Sequence, residues 1–256
     1  MRDKAVLVTG STQGIGLAIA LAAAAAGAAS VSLTGRDPAR GALAVAAVEA
    51  AGARAAFIPA ELAEAGATDK VFDFAVARFG RLDALVNAAG LTDRGSVADA
   101  TPDFWDRLTA VNLRAPFFLM QRMIGHLRDR KAAGSIVNIL SMNLHGGSPE
   151  LGVYVMTKAG LAAVTKNAAQ AHRFDRIRIN GINVGWTDTP AERTMQAQTL
   201  GHGEEWLAEQ GRKQPFGRLL LPQDVARLAV FLLSVQSLPM TGALIDQEQW
   251  VVGARD

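Results

Sequence analysis

The chain has 256 residues, half of them hydrophobic, which is enough to bury the core of one large α/β domain or two small ones. Lys and Arg exceed Asp and Glu by only two (26 against 24) and are scattered, so nucleic acid is not expected as a partner. The absence of cysteine excludes disulfides, thiolate catalysis and Cys-ligated zinc.

Short aliphatic runs alternate with longer helical patterns along the chain. Strands are predicted at 4–9, 30–34, 54–58, 82–87, 134–140, 176–184 and 243–246, and helices at 14–27, 38–51, 66–79, 101–130, about 150–173 and about 222–234. The strands are apolar throughout, without alternation of polar and apolar residues, which is typical of parallel strands covered on both faces. We therefore predict one α/β domain over 1–256, with a seven-stranded parallel sheet and helices on both faces.

Residues 186–216 interrupt this rhythm, since they are polar and contain several glycines. A long insertion between a strand and the last helix is more often functional than structural, so we predict a substrate lid there. The N-terminus runs into a strand pattern without an apolar signal segment, and the apolar stretch 17–29 is shorter than a membrane span. We expect a cytoplasmic protein without a membrane partner.

Three glycines, Gly10, Gly14 and Gly16, separate the first predicted strand from the first helix. Such a turn lets the backbone approach a pyrophosphate, which then lies at the positive N-terminal end of the helix. No Lys-Ser/Thr pair follows, which excludes a P-loop nucleotidase. A glycine-rich turn that serves only packing is the open alternative.

Tyr154 is the only tyrosine, and Lys158 follows it by four positions in a predicted helix, so both side chains share one face. Removing hydride from an alcohol requires a base, and lowering a Tyr pKa from about 10 to about 7 requires roughly 4 kcal/mol. A core Tyr beside a solvated Lys is the alternative. Ser141 favours a catalytic group, because it ends a predicted strand where sites form in parallel sheets.

Four motifs in this order resemble the short-chain dehydrogenase/reductase family over almost the whole chain. They are Thr9-Gly10-x-x-x-Gly14-x-Gly16, Asn87-Ala88-Ala89-Gly90, Ser141, and Tyr154-x-x-x-Lys158. The resemblance implies a doubly wound Rossmann fold that binds NAD(H) or NADP(H). It also implies hydride transfer between that cofactor and an alcohol or carbonyl.

The resemblance implies a role for each motif residue. Ser141 would hydrogen-bond the substrate oxygen, and Tyr154 would be the general acid/base. Lys158 would hold the nicotinamide ribose and lower the pKa of Tyr154. Asn112 would place a water for a proton relay through the lysine, and Asn87 would tie neighbouring strands together near the cofactor.

Arg36 follows the second predicted strand, where an NAD-preferring site usually has an acidic residue, so NADP(H) is favoured. Asp37 leaves NAD(H) as an alternative, and Gln13 is not the basic residue of many NADP-preferring relatives. The expected cofactor contacts are Gly10, Ser11, Thr12, Gln13, Gly14, Ile15, Gly16, Arg36, Glu61, Leu62, Asn87, Ala88, Ala89, Gly90, Tyr154, Lys158, Gly185, Thr187 and Thr189.

The segment between Ser141 and Tyr154 should border the substrate. The expected substrate contacts are Ser141, Asn143, His145, Tyr154 and Trp186, with Glu150 as a further polar group. The polar character suggests a sugar or polyol, with reduction of 3-oxoacyl or steroid-like carbonyls as an alternative. A cofactor-binding sensor or scaffold without turnover, and an epimerase or dehydratase of nucleotide sugars, are the alternatives from other classes.

The four histidines lack metal-ligand spacing, so no metal site is expected. By resemblance, the C-terminal segment lies at a subunit contact, and a homo-oligomer, a tetramer or dimer, is expected. Gln247 and Glu248 replace the glycine pair that is usual after Asp246, which makes the tetramer less secure.

Overall fold

The computed structural model describes residues 1–203 and 205–254. Its strands are β1 Ala5–Val8, β2 Ser30–Gly35, β3 Arg54–Pro59, β4 Ala84–Asn87, β5 Gly134–Ile139, β6 Ile177–Val184 and β7 Leu244–Gln247. Its α-helices are α1 Gly14–Ala25, α2 Pro38–Ala50, α3 Ala67–Phe79, α4 Pro102–Thr109, α5 Ala115–Asp129, α6 Gly152–Ala171, α7 Pro190–Thr194, α8 Trp206–Arg212 and α9 Pro222–Leu233.

All seven strands are parallel, in the order β3-β2-β1-β4-β5-β6-β7. The chain therefore winds outward from β1 in one direction, then returns to β4 and winds in the other. The carboxyl ends of β1 and β4 meet at this reversal, which is where open α/β sheets form a ligand crevice. The doubly wound fold predicted from the sequence is confirmed.

Two hydrophobic clusters cover the sheet, one on each face. In β1, Val6 and Val8 belong to the cluster under α1, α2 and α9, whereas Ala5 and Leu7 belong to the cluster under α3, α5 and α6. All four residues of this strand are buried, because side chains alternate between two covered faces.

The helix predicted at 101–130 is divided by a π-helical turn at Ala110–Arg114. Pro116 lies in the first turn of α5 and has no N–H for the Asn112 carbonyl, while Ala115 donates to the Ala110 carbonyl instead. Asn112 is the middle residue of this π-helical turn.

The described parts of the polar stretch, residues 186–203 and 205–216, contain more helix than the sequence indicates. They hold α7, a π-helical turn at Met195–Thr199 and α8. The Thr189 hydroxyl caps α7 by accepting from the Glu192 N–H at 3.1 Å. Trp206 is buried and stacks on Trp186 with 5.8 Å between ring centroids, which fixes this segment against the end of β6.

Candidate active site

The glycine turn packs its backbone closely against the end of β4. Gly10 has a φ of +61°, and a Cβ there would lie 2.7 Å from the Cα of Ala89. A Cβ on Gly16 would lie 2.3 Å from the Gly10 carbonyl oxygen. Side chains are excluded at both positions, which leaves an open backbone cradle at the N-terminus of α1.

Hydroxyl groups fix the neighbouring strand ends. Thr9 Oγ1 accepts from the N–H groups of Ala88 and Ala89 at 3.0 and 3.1 Å, which joins β1 to the end of β4. Ser11 Oγ donates to the Val8 carbonyl at 2.8 Å and accepts from the Thr34 N–H at 3.0 Å. The Ser11 side chain is fully buried in this role, behind the cleft wall.

The end of β2 carries Arg36, whose Nη1 lies 3.6 Å from Oε2 of Glu61. Asp37 is the N-cap of α2, because its carboxylate accepts from the N–H groups of Ala39 and Arg40 at 2.9 and 3.2 Å. Arg40 in turn donates to Gln13 Oε1 at 2.7 Å. The Asp37 carboxylate, next to Arg36, is thus engaged in capping the N-terminus of α2.

One cleft of about 700 Å³ extends from the glycine turn past the end of β4 to Ser141 and Tyr154. Its volume is in the range of ligand sites, about 300 to 1,000 Å³. Its polar lining at the far end includes Arg94, Asn143, Glu150, Glu192, Gln196, His202 and Glu248.

Ser141, Tyr154 and Lys158 are buried together in this cleft. Ser141 Oγ accepts from the Asn143 N–H at 3.2 Å, which leaves its own proton available for another acceptor. Lys158 Nζ donates to the Ile139 carbonyl at 2.8 Å and lies 5.7 Å from the Tyr154 ring centroid. Burial lowers the pKa of Lys158 to about 8.

Burial raises the pKa of Tyr154 above its usual value. A hydrogen bond with Ser141 opposes the rise, the Glu192 carboxylate adds to it, and the Arg94 guanidinium opposes it. The direction is opposite to the lowering that the resemblance implied. The protein's own groups hold the phenol neutral, which is the form that donates a proton.

Asn112 lies in the π-helical turn and is fully buried. Its Oδ1 accepts from the Leu91 N–H at 2.8 Å, and its Nδ2 donates to the Leu91 carbonyl at 2.9 Å. A Cβ on Gly90 would lie 3.6 Å from both Asn112 Oδ1 and Lys158 Nζ, so the two side chains face the same glycine. Asn112 therefore links the loop after β4 to the neighbourhood of the lysine.

The segment after β6 forms the opposite wall. Gly185, Thr187 and Thr189 line the cleft, but Thr187 Oγ1 donates to the Gly185 carbonyl at 2.9 Å and Thr189 caps α7. Glu192 Oε1 accepts from Trp186 Nε1 at 2.9 Å and from Gln196 Nε2 at 2.7 Å. These contacts hold the Glu192 carboxylate at the cleft surface.

Comparison with known proteins agrees with this geometry. The family model described as enoyl-(acyl carrier protein) reductase matches residues 10–247. The short-chain dehydrogenase/reductase FrzI of Cladobotryum sp is 31% identical over 249 residues, 95% of this chain and 94% of that protein. The chain belongs to the short-chain dehydrogenase/reductase family.

This short-chain dehydrogenase/reductase has relatives with different substrates. Galactitol 2-dehydrogenase of Agrobacterium fabrum is 31% identical over 242 residues, 93% of each chain. The solved structure of the promiscuous reductase LugOII, which catalyses keto-reduction at C1 in lugdunomycin biosynthesis, has a TM-score of 0.84 and 33% identity and covers 96% of both chains. The chain is thus an oxidoreductase of alcohols and carbonyls in a family that uses NAD(P).

Most residues expected at the site of this dehydrogenase/reductase share the cleft. Its lining includes Gly10, Thr12, Gln13, Gly14, Ile15, Gly16, Arg36, Glu61, Leu62, Ala88, Ala89, Gly90, Ser141, Asn143, Tyr154, Lys158, Gly185, Trp186, Thr187 and Thr189. Asn87 lies behind this wall, where its Nδ2 donates to Asn138 Oδ1 at 2.8 Å and joins β4 to β5.

His145 is not brought to the substrate end. It is exposed in the 3₁₀ turn Met142–His145, with Nε2 3.3 Å from Oδ1 of Asp246 at the end of β7. Its position after Ser141 suggested a substrate contact, but the turn directs the ring away towards β7.

Arg94 and Glu192 are cleft residues that the sequence did not single out. Each follows the carboxyl end of a strand, β4 and β6 respectively, where a parallel sheet places its site. The polar residues in the loop after β4 and in α7 after β6 were the signal that could have indicated them. Within residues 1–203 and 205–254, none of the helices is long and apolar enough to cross a membrane.

Proposed function

We propose that the chain interconverts a secondary alcohol and a carbonyl by NAD(P)(H)-dependent hydride transfer, with Tyr154 as general acid/base. The observation that carries this proposal is the burial of Ser141, Tyr154 and Lys158 in the cleft that begins at the glycine turn. When bound, the nicotinamide ring gives or accepts the hydride. The cradle at Gly10 and Gly16, which excludes side chains, fits the pyrophosphate of such a cofactor.

Ser141 and Tyr154 act on the substrate oxygen. In reduction, the carbonyl oxygen accepts a hydrogen bond from Ser141 and a proton from the Tyr154 hydroxyl as its carbon receives the hydride. In oxidation, the phenolate form of Tyr154 would accept the proton of the substrate hydroxyl. The raised pKa of Tyr154 supports the role of proton donor.

Lys158 and Asn112 support the proton transfer. A lysine with a pKa of about 8 exchanges protons near neutral pH, and its Nζ lies on the same side of the cleft as the Tyr154 ring. We propose that Lys158 holds the cofactor ribose and that Asn112 positions a water in a relay through the lysine. Their common approach to Gly90 supports the relay.

NADP(H) is the proposed cofactor, with NAD(H) as the alternative. Arg36 is largely exposed at the end of β2, where a guanidinium can bind a 2′-phosphate. Asp37 caps α2, so its carboxylate is not directed to a ribose. Glu61 opposes this preference, since it lies beside Arg36 and would repel a phosphate.

The proposed substrate is a sugar or polyol, because the far end of the cleft is rich in polar groups. One relative is named for galactitol and the other for a keto-reduction in lugdunomycin biosynthesis, so the relatives do not narrow the substrate class. Residues 186–216 are the proposed lid over this end. A cytoplasmic location and a homo-oligomer stay predictions, and sedimentation velocity would measure the second.

One experiment tests the reaction class. Reduction of NADP⁺ and NAD⁺ is followed at the nicotinamide absorbance with sugars, polyols, hydroxy acids and steroid alcohols, and cofactor oxidation with the matching carbonyls. Tyr154→Phe should lose at least 100-fold in kcat, the lower range of general acid/base catalysis. Nucleotide affinity, measured by titration, should remain. Wild-type turnover in Tyr154→Phe would remove Tyr154 from the mechanism.

A further inference from the structure

Two opposite charges line the substrate end of the cleft without neutralising one another. Arg94 and Glu192 both belong to its lining. Among the ion pairs of residues 1–203 and 205–254, neither side chain has a partner within 4.0 Å. Buried or half-buried charges without a partner are costly unless a ligand supplies the contact.

Arg94 is fixed in the loop after β4. The next residue, Gly95, donates its N–H to the Glu150 carbonyl at 2.8 Å and accepts from the Val153 N–H at 3.4 Å, which attaches this loop to the start of α6 beside Tyr154. Arg94 Nη1 donates to the Thr92 carbonyl at 2.7 Å. Its Nε is buried and has no hydrogen-bond partner within the described part of the chain.

Glu192 is fixed from the other wall. Its Oε1 is held by Trp186 and Gln196, and Gln196 is itself buried, with Oε1 2.8 Å from Nδ1 of His202. Within the described residues, both hydrogen bonds to the Glu192 carboxylate go to Oε1, and Oε2 accepts none. Oε1 is thus held by the protein, and Oε2 can accept a hydrogen bond from a ligand.

Both groups act on the reacting phenol. The Glu192 carboxylate raises the pKa of Tyr154 and the Arg94 guanidinium lowers it, so both lie within electrostatic range of its hydroxyl. Both side chains line the cleft that contains Tyr154, and they form no ion pair with each other within the described residues, so each can contact a ligand bound there. That ligand would lie next to the group that transfers the proton.

We propose that Arg94 and Glu192 form a hydroxyl-recognition pair that selects a neutral polyhydroxylated substrate over a simple secondary alcohol or ketone. This inference rests on the proposed function and names the residues that determine its substrate class. A hydroxyl group both donates and accepts, so neighbouring hydroxyls of an alditol donate to Glu192 and accept from Arg94.

The balance of charge favours a neutral substrate. A carboxylate substrate would bind Arg94 but be repelled by Glu192. A cationic substrate would be attracted by Glu192 but repelled by Arg94. An alkanone or steroid carbonyl offers no hydroxyl, so the atoms of the two groups that the protein does not hold, such as Glu192 Oε2, would be desolvated without a hydrogen-bond partner. A site built to hydrogen-bond hydroxyls discriminates strongly against analogues that lack them.

The test compares substrates of equal carbon number on the enzyme with saturating NADP⁺ or NAD⁺. Galactitol, ribitol and erythritol are each measured against the matching 2-alkanol, and the alditol-to-alkanol ratio of kcat/KM is the readout. Both substrates depend on Tyr154, so the ratio cancels any change in the phenol that Arg94→Gln or Glu192→Gln causes.

The wild type should prefer at least one alditol to its alkanol, and each variant should lower that ratio about tenfold or more, the effect of one hydrogen bond to a charged group. Arg78→Gln and Glu49→Gln are matched controls, because both residues are exposed, on α3 and α2 respectively, and neither lines the cleft. They should leave the ratio unchanged. Nucleotide titration of every variant confirms that the cofactor site is intact.

Three results would overturn the pair. One is a wild type that prefers the alkanol, another is a ratio that either variant leaves unchanged, and the third is no turnover of any alditol. Turnover of the alkanols without turnover of any alditol, if it still required Tyr154, would leave the reaction class standing while rejecting the pair. Turnover of neither these alcohols nor the carbonyl panel would reject the proposed function itself.

Discussion

Asn112 binds both backbone polar groups of Leu91, with Oδ1 accepting from its N–H at 2.8 Å and Nδ2 donating to its carbonyl at 2.9 Å. Asn112 belongs to the π-helical turn between α4 and α5, and Leu91 to the loop after β4. A residue inside a helical segment thus shapes the loop that carries Gly90 into the cleft. A structural role and the proposed catalytic role therefore coincide at Asn112.

Asn112→Ala should lower the free energy of unfolding by about 2 to 4 kcal/mol, because both polar groups of Leu91 lose their partner. Asn167→Ala is the control, since Asn167 is exposed on α6 and its loss should change stability by under about 0.5 kcal/mol. Urea denaturation measures both. If Asn112→Ala lowered kcat with unchanged stability, the relay alone would explain the residue.

Lys158 should make stability rise with pH above 8. Its pKa is about 8 in the folded protein, against the ordinary 10.5 of a lysine in the unfolded chain, so between these values the unfolded chain binds more protons. Stability therefore increases with pH in this window, by roughly 3 kcal/mol at completion. Below pH 8 both states are protonated and the cost of the buried charge is constant.

The rise is best measured between pH 8 and pH 10, because the raised pKa of Tyr154 makes stability fall again above pH 10. Urea denaturation at both pH values should show a gain in the wild type. Lys158→Met removes the titrating group at similar volume and should lack that gain. Equal pH dependence in the two proteins would mean that Lys158 titrates normally.

Arg36→Ala should weaken NADP⁺ binding about 10- to 100-fold and change NAD⁺ binding little, because only NADP⁺ carries the 2′-phosphate that a guanidinium binds. Glu61→Gln should strengthen NADP⁺ binding, since the carboxylate lies 3.6 Å from the Arg36 Nη1. Isothermal titration with both nucleotides is the measurement, with Arg78→Ala on exposed α3 surface as control. Equal loss for both nucleotides in Arg36→Ala would reject the phosphate contact.

Gly10→Ala and Gly66→Ala separate backbone strain from steric exclusion. Both glycines have positive φ, +61° and +74°, so each substitution carries a conformational cost of about 1 to 2 kcal/mol. Only Gly10 has a backbone atom 2.7 Å from the new Cβ, whereas at Gly66 nothing lies within 4 Å. Thermal denaturation should therefore show a larger loss for Gly10→Ala, together with lost nucleotide binding. Equal losses would mean that the turn relaxes freely.

The sequence by itself determined the order of elements and the class of fold. Apolar strands alternating with helices specify a parallel sheet covered on both faces, because a parallel strand needs a crossover and buries both of its faces. The sequence also indicated the glycine turn, Ser141 and the Tyr154-Lys158 spacing. Each depends on local geometry, a turn or one helix face, that a short segment defines.

Only the tertiary structure decided which loops meet at the cleft and what each polar side chain contacts. Arg94 and Glu192 are far apart in sequence and become neighbours of Tyr154 because β4 and β6 end at the same edge of the sheet. The 3₁₀ turn after Ser141 places His145 beside Asp246 and not in the lining of the cleft. The direction of the Tyr154 pKa also depended on burial, which arises from packing of the whole chain and not from the lysine one helical turn away.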